Sequence, residues 1–162
     1  MSKIMDLIYD EESIVVFDID GVLAKYEFGE RNHNSCSDEE WDKDTVYHAT
    51  MVYGSAKPSR LFQELIQHKR AKSSNVYACS VASHGEDDAK TSFVRRYYDI
   101  PEGNIFLVRD KLHKLQVLNS IKMRHPNVPD EKIIIVEDTI KTLTYIQENS
   151  NYSTCHVSSF LE

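Results

Sequence analysis

The chain has 162 residues, 41% of them hydrophobic and 28% charged, a balance that fits one soluble globular domain able to bury a core without disulfides or structural metal. Its three cysteines, Cys36, Cys79 and Cys155, form no CxxC pair, no apolar run approaches the roughly 20 residues of a membrane span, and the first ten residues lack a signal-peptide layout, so a cytoplasmic protein is expected. The formal net charge of −7 disfavours a nucleic-acid partner, since such binding draws on Lys and Arg contacts to phosphate.

Ile14-Val15-Val16-Phe17 reads as a short strand buried on both faces, because a solvated face would show polar alternation. It stops at Asp18-Ile19-Asp20-Gly21, so the chain leaves the sheet by a tight turn with two acids at the carboxyl edge, where open α/β sheets bind ligands. A calcium loop is disfavoured: counted from Asp18, its fifth and twelfth ligand positions hold Val22 and Gly29. Residues 24–56 are polar and mixed, with aromatics at Tyr26, Phe28, Trp41, Tyr47 and Tyr53. Within them Ser37-Asp38-Glu39-Glu40-Trp41 resembles a capped helical turn, and Val46–Tyr53 has the β-branched and aromatic content of a short strand in a flap hairpin.

Pro58 opens a helix carrying Leu61, Phe62, Leu65 and Ile66 on one face, and Lys69-Arg70-Ala71-Lys72 reads as its basic C-terminus. Val76–Cys79 is a second strand ending at Ser80. Glu86-Asp87-Asp88 begin a helix with Ala89, Phe93, Val94 and Tyr97 as its stripe. Asn104–Val108 is a third strand, followed by a helix with Leu112, Leu115, Leu118 and Ile121 that Pro126 and Pro129 bring to an end. Lys132–Val136 is the most strand-like run, stops at Glu137-Asp138, and is followed by a helix over Thr139–Glu148 and a final strand over Thr154–Val157. The alternation predicts a three-layer α/β domain over residues 1–162, a parallel sheet with helices on both faces, and an insertion at 24–56. The acids need a cation, because each pair of carboxylates about 4 Å apart repels by roughly 4 kcal/mol at an effective dielectric near 20. Oxygen donors alone favour a hard ion such as Mg²⁺.

With its strand, Asp18-Ile19-Asp20-Gly21 resembles motif I of the haloacid dehalogenase (HAD) superfamily, and a strand-terminal Ser, a Lys and a second acidic pair follow in that superfamily's order. The resemblance implies a Rossmann-like sheet of order 5-4-1-2-3 and a small-cap, phosphatase-like member. It does not explain residues 24–56, but that segment starts at the turn carrying Asp20 and returns at Pro58, so it can reach only over the carboxyl edge of the sheet and is expected to set substrate choice rather than chemistry. It implies that Asp18 is nucleophile and metal ligand, and that Asp20 binds the metal through its backbone carbonyl and serves as general acid and base. Ser80, with Ser83 as competitor, would bind a phosphoryl oxygen. Lys114 or Lys111 would neutralise charge, Lys114 fitting the spacing before Leu118 better. Asp138 and Glu137 would serve the metal, Glu137 directly or through water. Two functions follow: a Mg²⁺-dependent phosphohydrolase acting on a phosphate monoester through an aspartyl-phosphate, or a module of the same fold that binds metal, phosphate or protein without turnover. The histidines have no ligand-like spacing to one another and read as surface or satisfied polar residues.

Overall fold

All four residues of β1 (Ile14–Phe17) are buried, so neither face of this strand meets water. In the computed structural model, which describes residues 3–25, 37–72 and 75–161, β1 is flanked by two other strands. Two-residue strands β2 (Ala24–Lys25) and β3 (Lys57–Pro58) form a separate antiparallel pair. In the main sheet β1 pairs in parallel with β4 (Val76–Val81) and β6 (Ile133–Glu137), while β5 (Ile105–Val108) and β7 (Ser153–His156) lie at the edges. The order is β5-β4-β1-β6-β7. As a numbering this differs from the expected 5-4-1-2-3, because β2 and β3 went unpredicted: strands of two residues have no period to read. By residue range the sheet runs 105–108, 76–81, 14–17, 133–137, 153–156.

The two faces of the sheet bury different helices. Val15, Phe17, Val76, Ala78, Ile134 and Val136 face α1 (Lys3–Tyr9), α3 (Thr45–Ser55), α4 (Arg60–Lys72) and α5 (Asp87–Tyr98). Ile14, Val16, Tyr77, Cys79, Ile133 and Ile135 face α6 (His113–Arg124) and α7 (Ile140–Asn149). The period of two thus divides each central strand between two cores. Lys69 of α4, 1% exposed, donates to the carbonyls of Ile8 and Asp10 and to Ser13 Oγ at 3.1, 2.7 and 3.0 Å, so it ties α1 to the layer and is no part of a basic surface patch. Among the described residues no helix is long and apolar enough to cross a membrane.

The insertion departs from expectation. Ser37 does cap a short helix, α2 (Asp38–Lys43), in a full capping box with Glu40. Val46–Tyr53, however, is helix and not strand. Asp44 caps α3 by accepting the Tyr47 N–H at 3.1 Å, and Ala49, Val52 and Tyr53 share its buried face. Spacing of three and four residues between those positions overrides the β-branched content around them. Tyr26, Phe28, His33 and Cys36 lie outside the described residues. Of the other insertion aromatics, Tyr53 is in the core, Trp41 packs against it and Tyr47 is exposed.

Gly85, in the turn before α5, fixes how closely α3 approaches. A Cβ there would lie 2.6 Å from Thr45 Cβ and 3.1 Å from the Val46 backbone N. Gly54, inside α3, has nothing within 4 Å of the same position. Gly85→Ala is therefore expected to destabilise the protein by about 1–3 kcal/mol through overpacking, whereas Gly54→Ala stabilises it by up to about 1 kcal/mol by relieving helix entropy. Urea unfolding of the two variants checks both signs.

Candidate active site

The strand that forms the core also delivers the acids. Asp18 N–H donates to Val136 O at 2.9 Å, extending the β1–β6 ladder one residue beyond the strand. The chain then closes a tight turn, with Val22 N–H on Ile19 O at 3.2 Å and Ala24 N–H on the same carbonyl at 2.8 Å. Gly21 sits in this turn at φ +74°, a left-handed conformation that disfavours a side chain. A Cβ on Gly21 would also come within 2.3 Å of Asp138 Oδ2. This glycine thus gives the turn its shape and leaves room for the second acidic pair.

Lys114, in the first turn of α6, is 2% exposed and places Nζ 3.0 Å from Asp18 Oδ1 and 2.5 Å from Glu137 Oε2. The other Glu137 oxygen accepts the backbone N–H groups of Asp138 and Thr139 at 3.0 and 3.1 Å. Lys111 is exposed, with Nζ 3.5 Å from Thr139 Oγ1, so Lys114 is the lysine the fold brings to the acids. Ser80 is buried inside β4, which runs on to Val81 rather than ending at Ser80 as expected. Ser83 is exposed, its N–H donated to Glu86 Oε2 at 2.8 Å.

The Asp20 carboxylate takes a separate set of partners. Tyr53 OH donates to its Oδ1 at 2.6 Å and Lys90 Nζ to its Oδ2 at 2.7 Å. Lys90, 1% exposed, also lies 3.4 Å from Ser80 Oγ and donates to Val81 O. Sequence reasoning missed Lys90, although a signal existed: with Val94 and Tyr98 it occupies the i, i+4, i+8 line of α5 that turns inward. It also gave His156 no role. His156 Nδ1 accepts the Ser158 N–H at 3.2 Å, which leaves Nε2 to donate to the Asp138 carbonyl at 3.0 Å.

Carboxylate oxygens of Asp18, Glu137 and Asp138 lie within 4.8 Å of one another. Burial raises the Asp18 carboxyl to about 8; Lys114 pulls it down, while Glu137 and Asp20 push it further up. Burial likewise raises Asp138 to about 6, helped by the Glu137 charge. Burial works against a charged Glu137 too, but the Lys114 charge and the hydrogen bonds at the Glu137 carboxyl together outweigh it and hold the carboxyl at about 2. Lys114 suffers the same desolvation, and Asp18 and Glu137 reverse it, holding the ammonium above its ordinary value. One lysine is too little for three acids. The set fits a divalent cation that prefers oxygen donors, held by Asp18, Asp138 and, once its bonds rearrange, Glu137.

Stability should report this imbalance. An acid raised on folding contributes most below its unfolded value, 3.8, and that contribution is lost as pH rises through about 8. In EDTA, Asp18→Asn is therefore expected to melt higher than the unaltered protein at pH 8, the gap closing towards pH 4. Millimolar Mg²⁺ should raise the melting temperature of the unaltered protein more than that of the variant. Thermal scans at four pH values test the trend, and a gap that widens on acidification would contradict it.

No protein-family model matches the sequence, and no curated protein matches it. Solved structures do. DsGPDH of Dunaliella salina superposes with a TM-score of 0.60 at 14% identity over 95% of this chain, which spans only 25% of that longer protein. A HAD family enzyme of Bacteroides thetaiotaomicron gives 0.56 at 10% identity, over 89% of this chain and 92% of the other, and a further structure of that enzyme is a magnesium complex. A haloacid dehalogenase-like protein of Burkholderia xenovorans gives 0.55 at 12% identity, over 88% and 80%. At these identities the likeness is one of fold, and the fold is haloacid dehalogenase-like.

Proposed function

We propose that the protein is a Mg²⁺-dependent phosphohydrolase that cleaves a phosphate monoester through an aspartyl-phosphate on Asp18. The observation that carries this reading is the Asp18 carboxylate itself, buried at the carboxyl end of the central strand, with the Lys114 ammonium at 3.0 Å and two further acids beside it. An isolated structural ion pair would not need the surplus negative charge. Likeness in fold to HAD family enzymes, one of them solved as a magnesium complex, supports the same reading.

In this mechanism an Asp18 oxygen attacks phosphorus in line, and the bond from phosphorus to the leaving oxygen breaks. Asp20 gives that oxygen a proton, then takes one from the water that attacks the aspartyl-phosphate and restores Asp18. Ser80 donates to a non-bridging phosphoryl oxygen, and Lys114 offsets charge spread over the others. Asp18, Asp138, Glu137 and the Asp20 backbone carbonyl would hold the ion. When bound, Mg²⁺ supplies the positive charge that the acids and the phosphoryl group together require.

Hydrolysis of p-nitrophenyl phosphate should therefore need Mg²⁺ and vanish in EDTA. Asp18→Asn should lower kcat by roughly three orders of magnitude or more while the protein stays folded, because no nucleophile remains. Activity of that variant within tenfold of the unaltered protein would overturn the mechanism. A protein that binds Mg²⁺ tightly yet turns over no ester would point instead to the binding module of the same fold.

A further inference from the structure

We infer that Tyr53 and Lys90 are positioning residues for Asp20, so that helix α3 of the insertion serves the proton-transfer step and not substrate choice alone. The inference rests on the reading of Asp20 as proton donor and base. Asp20 lies beyond the end of β1 with its side chain about one third exposed, at 32%, and a carboxylate in that setting has two torsions free to turn. Each of its oxygens is held by a separate donor: Oδ1 by Tyr53 OH at 2.6 Å and Oδ2 by Lys90 Nζ at 2.7 Å. The donors come from different helices, α3 and α5, and together they fix both torsions.

The holders are fixed in turn. Lys90 donates to Val81 O and lies 3.4 Å from Ser80 Oγ, 3.7 Å from Glu86 Oε2 and 5.7 Å from the centre of the Tyr53 ring. A buried ammonium needing only a structural counter-ion has Glu86 one helical turn away, yet its shortest carboxylate contact is to Asp20, 70 positions distant in sequence. Tyr53 is 3% exposed, and its ring packs against Phe93 of α5 at 6.2 Å. At the other end of α3, Thr45 rests on Gly85 with no room for a side chain between them. Helix α3 therefore cannot shift against the β4–α5 turn without moving the group that aims Asp20.

Mispositioning a proton donor is felt in proportion to how much the leaving oxygen needs the proton. The test compares a poor leaving group, in glycerol 2-phosphate, with a good one, in p-nitrophenyl phosphate, at saturating Mg²⁺. Tyr53→Phe, which keeps the ring in the core, is expected to lower kcat on glycerol 2-phosphate at least about tenfold more than on p-nitrophenyl phosphate, with KM moved less than about twofold. Lys90→Met should show a larger ratio, and Lys90→Arg should recover part of it. Equal losses on both esters, no loss, or a change confined to KM would overturn the inference, and should Lys90→Met fail to fold, Tyr53→Phe decides alone. Asp20→Asn run alongside separates the two readings. If it lacks the leaving-group dependence, Asp20 is not the donor; if it shows the dependence and Tyr53→Phe does not, the positioning role alone falls. Failure of the unaltered protein to hydrolyse either ester overturns both.

Discussion

A carboxylate left in a nearly dry place governs this molecule. Asp18 is 5% exposed, and the desolvation that raises its proton affinity is met in part by one lysine reaching over from the start of α6. Lys114 is shared with Glu137, so three elements, β1, β6 and α6, must end at the same point for any of the charges to be tolerated. Removing Lys114 would leave Asp18 and Glu137 buried without a counter-charge, which makes this lysine the least replaceable group at the edge of the sheet.

The support around that edge is backbone as much as side chain. Glu137 uses one oxygen to hold the turn that follows it, through the N–H groups of Asp138 and Thr139. His156, opposite Glu137 in the pairing of β6 with β7, holds the Asp138 carbonyl from the neighbouring strand. Gly21 leaves the space into which the Asp138 carboxylate fits. The acidic pair is thus braced from its own turn, from an edge strand and from the turn after β1, an arrangement suited to holding ligands in fixed positions.

What could be read in the sequence follows from which forces act locally. The runs Ile14–Phe17 and Ile133–Val136 were legible as strands because both faces are buried and no polar residue interrupts them. Lys114 was favoured over Lys111 because it sits in the Leu-rich stripe of α6, and that same stripe carries it inward. Val46–Tyr53 misled because β-branched and aromatic residues are dense there, while the contacts that select a helix lie in α5, some 40 residues away in sequence. Lys90 was unreadable as a partner of Asp20 for a related reason: a lysine on an inward helical line declares burial, but its counter-charge is set by tertiary packing. Helix α1 also went unpredicted, since seven residues offer barely two turns of pattern.

Lys69 bears on the order in which the structure can assemble. A helix of seven residues has little stability on its own, and α1 is held by an ammonium 61 and 59 positions away, bonded to the Ile8 and Asp10 carbonyls. Met5 and Ile8 share their core cluster with Cys155, which is later still in the chain. During synthesis α1 therefore emerges before α4 and β7 and has neither to dock against until they have followed. Its attachment belongs to the closing steps of folding, and on unfolding it should be among the first segments to exchange its amide hydrogens with solvent.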